Sequence, residues 1–483
     1  MDTNRHAPRF DHSLSAQSSE LDALCEEYLR VIKDHLQLNR FDKKHALNLR
    51  ALLTNLLNAE IHHDGWISID KNRNLYKPRY IDCSYQLLIQ NIVNSLIEMG
   101  QIEQELGVRG EKTTEIRAVG SLAQKLLALA DVDIEQDLRV LETIILKDTD
   151  KVIRDYQDTD QTRQWRANLL EINEAIQGVW VDIFVTDEEF KYLRKKNKDV
   201  NEEAGEDAEE ASLPVSLSNK SLKRVFNNSS WGEGGRFYGG WWQQVTERYR
   251  PFITINHSLT IECDYSSLSA EMIYAQAGAA RPEGDLYEID ALGNYKIRKK
   301  SKLAFQIMLN TRSRWHAVEA LKKSEALNDV EVLEEDLIDH LLRKHSAIKD
   351  RFFRQLGPQL QKHDSELAEE IMLRALRERG ILLLPIHDSF IADHSLIEYL
   401  PDLMAEVFEE KMGKKCNTDF NLKFEYNPFR VPDNEIERQK RSRYFRNKAR
   451  WEIKKFGYTE TPNTFPSNDH WPVEIEDDDI DEF

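Results

Sequence analysis

The chain has 483 residues, 40% of them hydrophobic, which is enough for about two to four cored domains and excludes wholesale disorder. Acidic residues number 85 and basic ones 66, and the net charge of −19 excludes a uniformly phosphate-binding surface. There is no long apolar run and no apolar stretch near residue 1, so neither a membrane span nor a secretory signal is expected. Cys25, Cys83, Cys263 and Cys416 are scattered, which excludes a CxxC zinc site, argues against a disulfide framework and suggests a cytoplasmic protein.

Residues 1–18 read as a polar, disordered start. From Leu21 the apolar positions Leu24, Tyr28 and Ile32 recur at helical spacing. Residues 43–60 place Leu49, Leu52, Leu53, Leu56 and Leu57 on one side of a second helix. Residues 66–69 predict a short strand and residues 84–99 a third helix, stopped by Gly100. Residues 101–106 and 113–119 predict a hairpin turning at 107–110. Helix then hairpin is the order of a winged-helix unit, and Arg109, Lys112 and Arg117 fall on its wing as candidate nucleic-acid contacts. The other reading is a helical domain with an ordinary charged hairpin. Residues 140–183 are expected to be helical and then extended. The winged-helix-like domain thus spans 19–186. An acidic linker follows at 187–213, with six acids and no base between Glu202 and Glu210.

Beyond the linker, residues 234–245 read GGRFYGGWWQQV, an unusual concentration of glycine and aromatic residues. Residues 252–264 predict a hairpin around His257-Ser258. Residues 302–327, 335–355 and 366–379 predict helices, the last closed by Gly380, and 381–393 read as strand, tight turn, strand.

Asp264 ends an apolar strand and Asp388 sits at the turn of an apolar hairpin. Singly, each is an ordinary turn or strand-end aspartate. As a pair, two strand-end carboxylates can meet on one sheet surface, where hard divalent cations seek oxygen ligands for phosphoryl transfer. Between them, Arg298 and Lys302 lie one helical turn apart, and Gln306 and Asn310 continue roughly the same face. That face is either a solvated basic surface or a cationic grip on a triphosphate.

These three segments, in this order, resemble the motifs of family A DNA polymerases and the related phage-type single-subunit RNA polymerases. Asp264-Tyr265-Ser266 resembles the first palm motif, Arg298 and Lys302 the nucleotide-binding fingers helix, and His387-Asp388-Ser389 the second palm motif. Gly235-Arg236-Phe237-Tyr238 resembles an upstream element of the RNA polymerases. The likeness covers about 214–430. It implies an α+β fold in which the N-terminal helical, winged-helix-like domain precedes a polymerase palm, built on an antiparallel sheet, with helical fingers. It implies that Asp264 and Asp388, helped by the Tyr265 carbonyl, ligate two Mg²⁺ ions, for which Mn²⁺ can substitute. Lys302 and Arg298 would bind the triphosphate, Lys302 as a proton donor to pyrophosphate. Arg236, Tyr238 and His387 would face nucleic acid.

Three departures from the family pattern stand out. Asn310-Thr311 replaces a Tyr-Gly pair, Ser269 replaces a glutamate beneath the sugar, and a charged helical stretch at 319–335 interrupts the fingers. No exonuclease pattern precedes the palm. The expected function is a template-directed DNA polymerase with weak sugar discrimination, using nucleoside triphosphates and a DNA primer–template or single strand. The alternatives are an RNA polymerase or primase of the same superfamily, a non-catalytic nucleic-acid-binding protein, or a two-metal nuclease. A basic segment at 431–470, with nine Lys/Arg against one acid over 438–455, is a second candidate DNA contact, and 471–483 is an acidic tail.

Overall fold

The computed structural model describes residues 7–38, 43–108, 112–129, 132–194, 215–289, 295–324, 332–420, 433–458 and 465–466. They form an α+β protein whose strands are mostly antiparallel, as expected, arranged in two compact units.

The first unit comprises Met1–Gln177, Phe190–Trp231 and Phe237–Val245. Helix α1 (Ser19–His35) begins where the Ser18 side chain accepts from the Leu21 amide, with Glu20 and Asp22 at its positive end. Helix α2 (Lys43–His62) buries the leucine face read from the sequence. Strand β2 (Trp66–Ser68) is followed by π-helical turns at Gln86–Val93 that run into α3 (Asn94–Glu98). Then β3 (Ile102–Glu105) and β4 (Glu115–Ala118) form the expected hairpin, and α4 (Gly120–Leu127) follows. The sheet order is β2-β4-β3, so the early strand closes onto the far arm of the hairpin.

Two stretches differ from the sequence reading. Residues 7–18 pack onto the rest of the unit: β1 (Leu14–Ala16) pairs with β5 (Ile134–Gln136), and the Asp11 amide donates to Asn55. Buried Leu14 and Ala16 supply the apolar alternation that a short polar segment conceals. Residues 144–154 are not helical but form β6 (Ile144–Lys147) and β7 (Ile153–Arg154). Ile144, Ile145 and Leu146 are all buried, and so short an apolar run carries no period to separate helix from strand. Helix α5 (Asp160–Gln177) follows; its Trp165 stacks on Phe226 at 4.6 Å between centroids. β9 (Lys223–Phe226) runs parallel to β6, with β10 (Gly234–Tyr238) next in the sheet.

The second unit takes Gly178–Glu189, Gly232–Arg236 and Thr246–Phe483. Its boundaries therefore differ from the expected ones at 187–213 and 214. β8 (Val181–Ile183) precedes the acidic stretch yet pairs with β11 (Ile253–Ile255). Asp187–Leu193, expected as linker, is helix α6; the acidic run at 202–210 lies outside the described residues. The sheet runs β13 (Leu384–Ile386), β14 (Ser389–Asp393), β12 (Ser258–Tyr265), β11, β8, and β15 (Thr418–Phe420) also pairs with β12. Asn256 and His257, both with positive φ, turn the β11–β12 hairpin one residue earlier than its apolar pattern suggested.

Three helices attend this sheet: α7 (Leu268–Gln276), α11 (Gly357–Arg379) and α12 (Tyr399–Met412). Phe408 of α12 packs on the Tyr265 ring at 5.7 Å between centroids. A helical subdomain of α8 (Tyr295–Asn310), α9 (Arg314–Lys323) and α10 (Glu334–Lys344) closes around Phe305, His345 and Phe352.

The C-terminal basic segment forms α13 (Glu435–Lys440) and α14 (Ser442–Phe456) and is part of this unit's core. Tyr444 is fully buried, its hydroxyl donating to Thr254 Oγ1 at 3.1 Å and paired with His257 Nδ1 at 2.9 Å. Arg443 forms an ion pair with buried Asp182 at 2.6 Å. Much of the charge that looked available for DNA is spent internally: Arg438 on Asp433, Lys440 and Arg441 on Glu437, Lys448 on Glu452.

Candidate active site

Strand pairing brings the two predicted carboxylates together. Asp264 is the Cα partner of Ser389 across β12 and β14, so Asp388 occupies the next position, in the His387-Asp388 turn. His387 has φ 53°, the left-handed backbone that a two-residue hairpin turn needs. On the other edge of β12, Asp264 is the partner of Asp419 on β15. Asp419 was not singled out in the sequence, because a three-residue strand of mixed polarity gives no signal. Its carboxylate accepts a hydrogen bond from Ser266.

The electrostatics follow from this crowding. The Asp264 carboxyl is pushed up from 3.8 to about 7, first by burial, then by the negative charges of Asp388, Glu262 and Asp419, with Lys302 pulling the other way. Glu262 is a second residue the sequence reading missed. It accepts from Ser389 Oγ at 2.7 Å, a bond that joins β12 to β14, and from Arg250 at 2.9 Å. Glu262 and Asp419 add to the field without closing a chelate: among the described residues no three His, Cys, Asp or Glu side chains are grouped to hold a metal ion. The carboxylates that could hold a cation here are Asp264 and Asp388. The Asp264 carboxyl, its pKa raised by burial and by its acidic neighbours, is short of positive charge, and hard oxygen donors of this kind fit a divalent cation such as Mg²⁺.

Helix α8 supplies the cations. Lys302 is exposed and within electrostatic reach of Asp264, whereas Lys300, two residues earlier, is buried against Glu334 and the Val332 carbonyl. Arg298 is held in a fork by Asp285, at 2.8 and 2.6 Å. Gln306 and Asn310 follow along the helix, the Asn310 amide donating to the Gln306 carbonyl. A Cβ at Gly357 would overlap the Asn310 side-chain amide, so α11 starts close against the end of α8.

The remaining expectations divide. The Tyr265 side chain is unavailable to a ligand: its ring is buried and its hydroxyl donates to the Met404 carbonyl at 2.6 Å. Ser269 is half-buried on α7. Arg236 donates to Asp364 at 2.8 Å, and Asp364 is only 3% exposed, so this arginine anchors α11. Tyr238 packs against Tyr80, Ile145 and Val225 in the first unit. On the wing, Lys112 pairs with Glu105 and Glu115, and Arg117 pairs with Glu103 while lying over the Trp66 ring. Arg109 lies outside the described residues.

No model of a known protein family matches the chain, and no curated protein matches it. Among solved structures it is similar to the POL domain of Pol1 from M. smegmatis in complex with DNA primer-template and dNTP, at 10% identity and a TM-score of 0.30. That alignment covers 84% of this chain and 66% of the mycobacterial chain, so the chain spans less than two thirds of the length it matches. Among the described residues no helix is long and apolar enough to cross a membrane.

Proposed function

We propose that the chain is a nucleotidyltransferase that extends a nucleic-acid 3′-hydroxyl with nucleoside triphosphates. The observation that carries this reading is the register of β12 and β14, which sets Asp264 beside Asp388 with Lys302 of α8 in electrostatic reach. In this reading the sheet of β8 and β11 to β15 is the palm and α8–α10 are the fingers. Asp264 and Asp388 would hold Mg²⁺, which supplies Lewis-acid activation of the attacking oxygen and charge relief at the leaving pyrophosphate. The chain's own part is placement. Glu262, through Ser389, fixes the strand pair that sets the carboxylate spacing. Lys302 presents a mobile point charge, and a proton, to the triphosphate. Arg298 reaches the phosphates by exchanging the single Asp285 oxygen that takes both of its bonds for phosphate oxygens.

DNA synthesis on a primer–template is the favoured reaction. The order β2, α3, β3, β4 with sheet order β2-β4-β3 supports a winged-helix role for the first unit in holding nucleic acid. A second reading, RNA synthesis, is favoured by the sugar side of the site. Ser269 is small, the Tyr265 ring is committed to the core, and Glu271 is ion-paired with Arg281, so none of them walls off a 2′-hydroxyl. Four buried, unpaired cysteines suit a reducing cytoplasm. Extension of a labelled primer–template with dNTPs or rNTPs, with and without Mg²⁺, tests the proposal. No extension with either set, by protein that binds the primer–template, would refute it.

A further inference from the structure

The C-terminal end of α8 carries an aromatic and basic surface that the reaction itself does not use. Trp315, near the start of α9, is 66% exposed, the most exposed tryptophan or tyrosine among the described residues. Its ring meets His316 edge-on at 4.9 Å and is otherwise presented to solvent. Arg312 and Arg314 flank it. Arg314 is neutralised by Asp339 at 2.8 Å, but the Arg312 side chain meets no carboxylate among the described residues and contacts His316 Nε2 at 3.3 Å.

A second arginine reaches the same end of the helix from a different element. The Phe353 amide donates to the Met308 carbonyl at 2.8 Å and the Leu356 amide to the Leu309 carbonyl at 2.9 Å, which lays residues 353–356 along the last turn of α8. Phe353 and Gln355 both hold positive φ, 61° and 54°, a strained path that puts the exposed Arg354 between them. Arg354 donates to the Asp350 carbonyl at 3.3 Å, a contact that leaves its charge uncompensated.

We propose that Trp315, Arg312 and Arg354 form a platform for single-stranded nucleic acid, the unpaired template ahead of the nucleotide site. The charge complementarity is specific to a polyanion, because two arginines with no acid partner among the described residues border an aromatic face. A base has a π-face for Trp315, and the arginines match the flanking phosphates. The position suits a template: from Lys302 to Asn310 the exposed face of α8 runs about 12 Å at 1.5 Å per residue, and the platform lies just beyond. Placing the strand as template rests on the polymerase reading; the affinity for single strands does not.

The test is fluorescence anisotropy on the full chain, with a labelled primer–template bearing a single-stranded overhang of about ten nucleotides, its blunt counterpart, and the overhang strand alone. Trp315→Ala is expected to weaken binding of the single strand and the overhang substrate about tenfold, and to leave the blunt duplex unchanged. Arg312→Gln and Arg354→Gln should each lower the salt slope by about 0.7 on single strands. An unchanged melting temperature establishes that the exposed substitution leaves the fold intact. Equal affinity of wild type and Trp315→Ala for the single strand would overturn the proposal, and so would an equal loss on the blunt duplex. If Trp315 matters for binding while the wild type incorporates no nucleotide, the platform stands and the polymerase reading falls. If incorporation proceeds and Trp315 is silent, the reverse holds.

Discussion

Asp264 and Ser389 face each other across β12 and β14, and this one register sets the acidic site, because it carries Asp388 to the end of the strand that Asp264 terminates. The pairing is antiparallel and runs from Thr260↔Asp393 to Asp264↔Ser389, so a slip of one residue would turn every side chain of β14 to the other face. Glu262 accepting from Ser389 Oγ pins it.

Removing either carboxylate is expected to cost more than about 10³-fold in kcat, the scale at which a charge-stabilising group in a transition state is lost. Asp264→Asn and Asp388→Asn keep the shape and remove the charge. Single-turnover primer extension measures the loss. Either variant retaining activity near wild type would remove its residue from the chemistry.

The Asp264 carboxyl, raised to about 7 in the folded protein from 3.8, has a definite consequence for stability. Between those two values the folded state holds the proton and the unfolded state has lost it, so folding weakens as pH rises through this window. Without divalent cations, Asp264→Asn should therefore raise the melting temperature at pH 8 by about 3 °C and leave it unchanged near pH 4. Adding Mg²⁺ at pH 8 should stabilise the wild type and not the variant. Differential scanning calorimetry reads both, and a destabilised variant at pH 8 would contradict the electrostatic account.

Ribonucleotides should be incorporated within about 10²-fold of deoxynucleotides, since Ser269 leaves space at the sugar and Tyr265 and Glu271 are held elsewhere. Ser269→Glu should penalise ribonucleotides more than deoxynucleotides. Paired kcat/KM values decide it; a wild-type preference for dNTP beyond about 10⁴-fold would mean that a different side chain screens the sugar.

The C-terminal helix is expected to matter first for folding. Tyr444→Phe should cost about 1–2 kcal/mol in chemical denaturation, because it strips a hydroxyl from Thr254 and His257 in a buried site. Its contribution to DNA binding should come from the exposed Arg446 and Lys455. Neutralising both should reduce the salt slope on duplex by about 0.9 each, whereas Lys112→Gln and Arg117→Gln, already paired with glutamates, should change it little. A larger loss from the wing pair would reverse that assignment.

By itself the sequence determined the α1 and α2 helices, the β3–β4 hairpin, the strand ends that carry Asp264 and Asp388, and the basic face of α8. Each of these is a local pattern: a 3.6-residue or two-residue period, or a turn at a fixed offset. Tertiary structure alone decided what those side chains face. Arg236 and Arg298 look alike as free cations in the sequence, yet one is bound by Asp364 and the other by Asp285. Asp419 and Glu262 joined the site through strand pairing, and β8 joined the same antiparallel sheet from across an acidic stretch. Burial and charge pairing are sums over residues distant in the chain, so composition and period do not encode them locally.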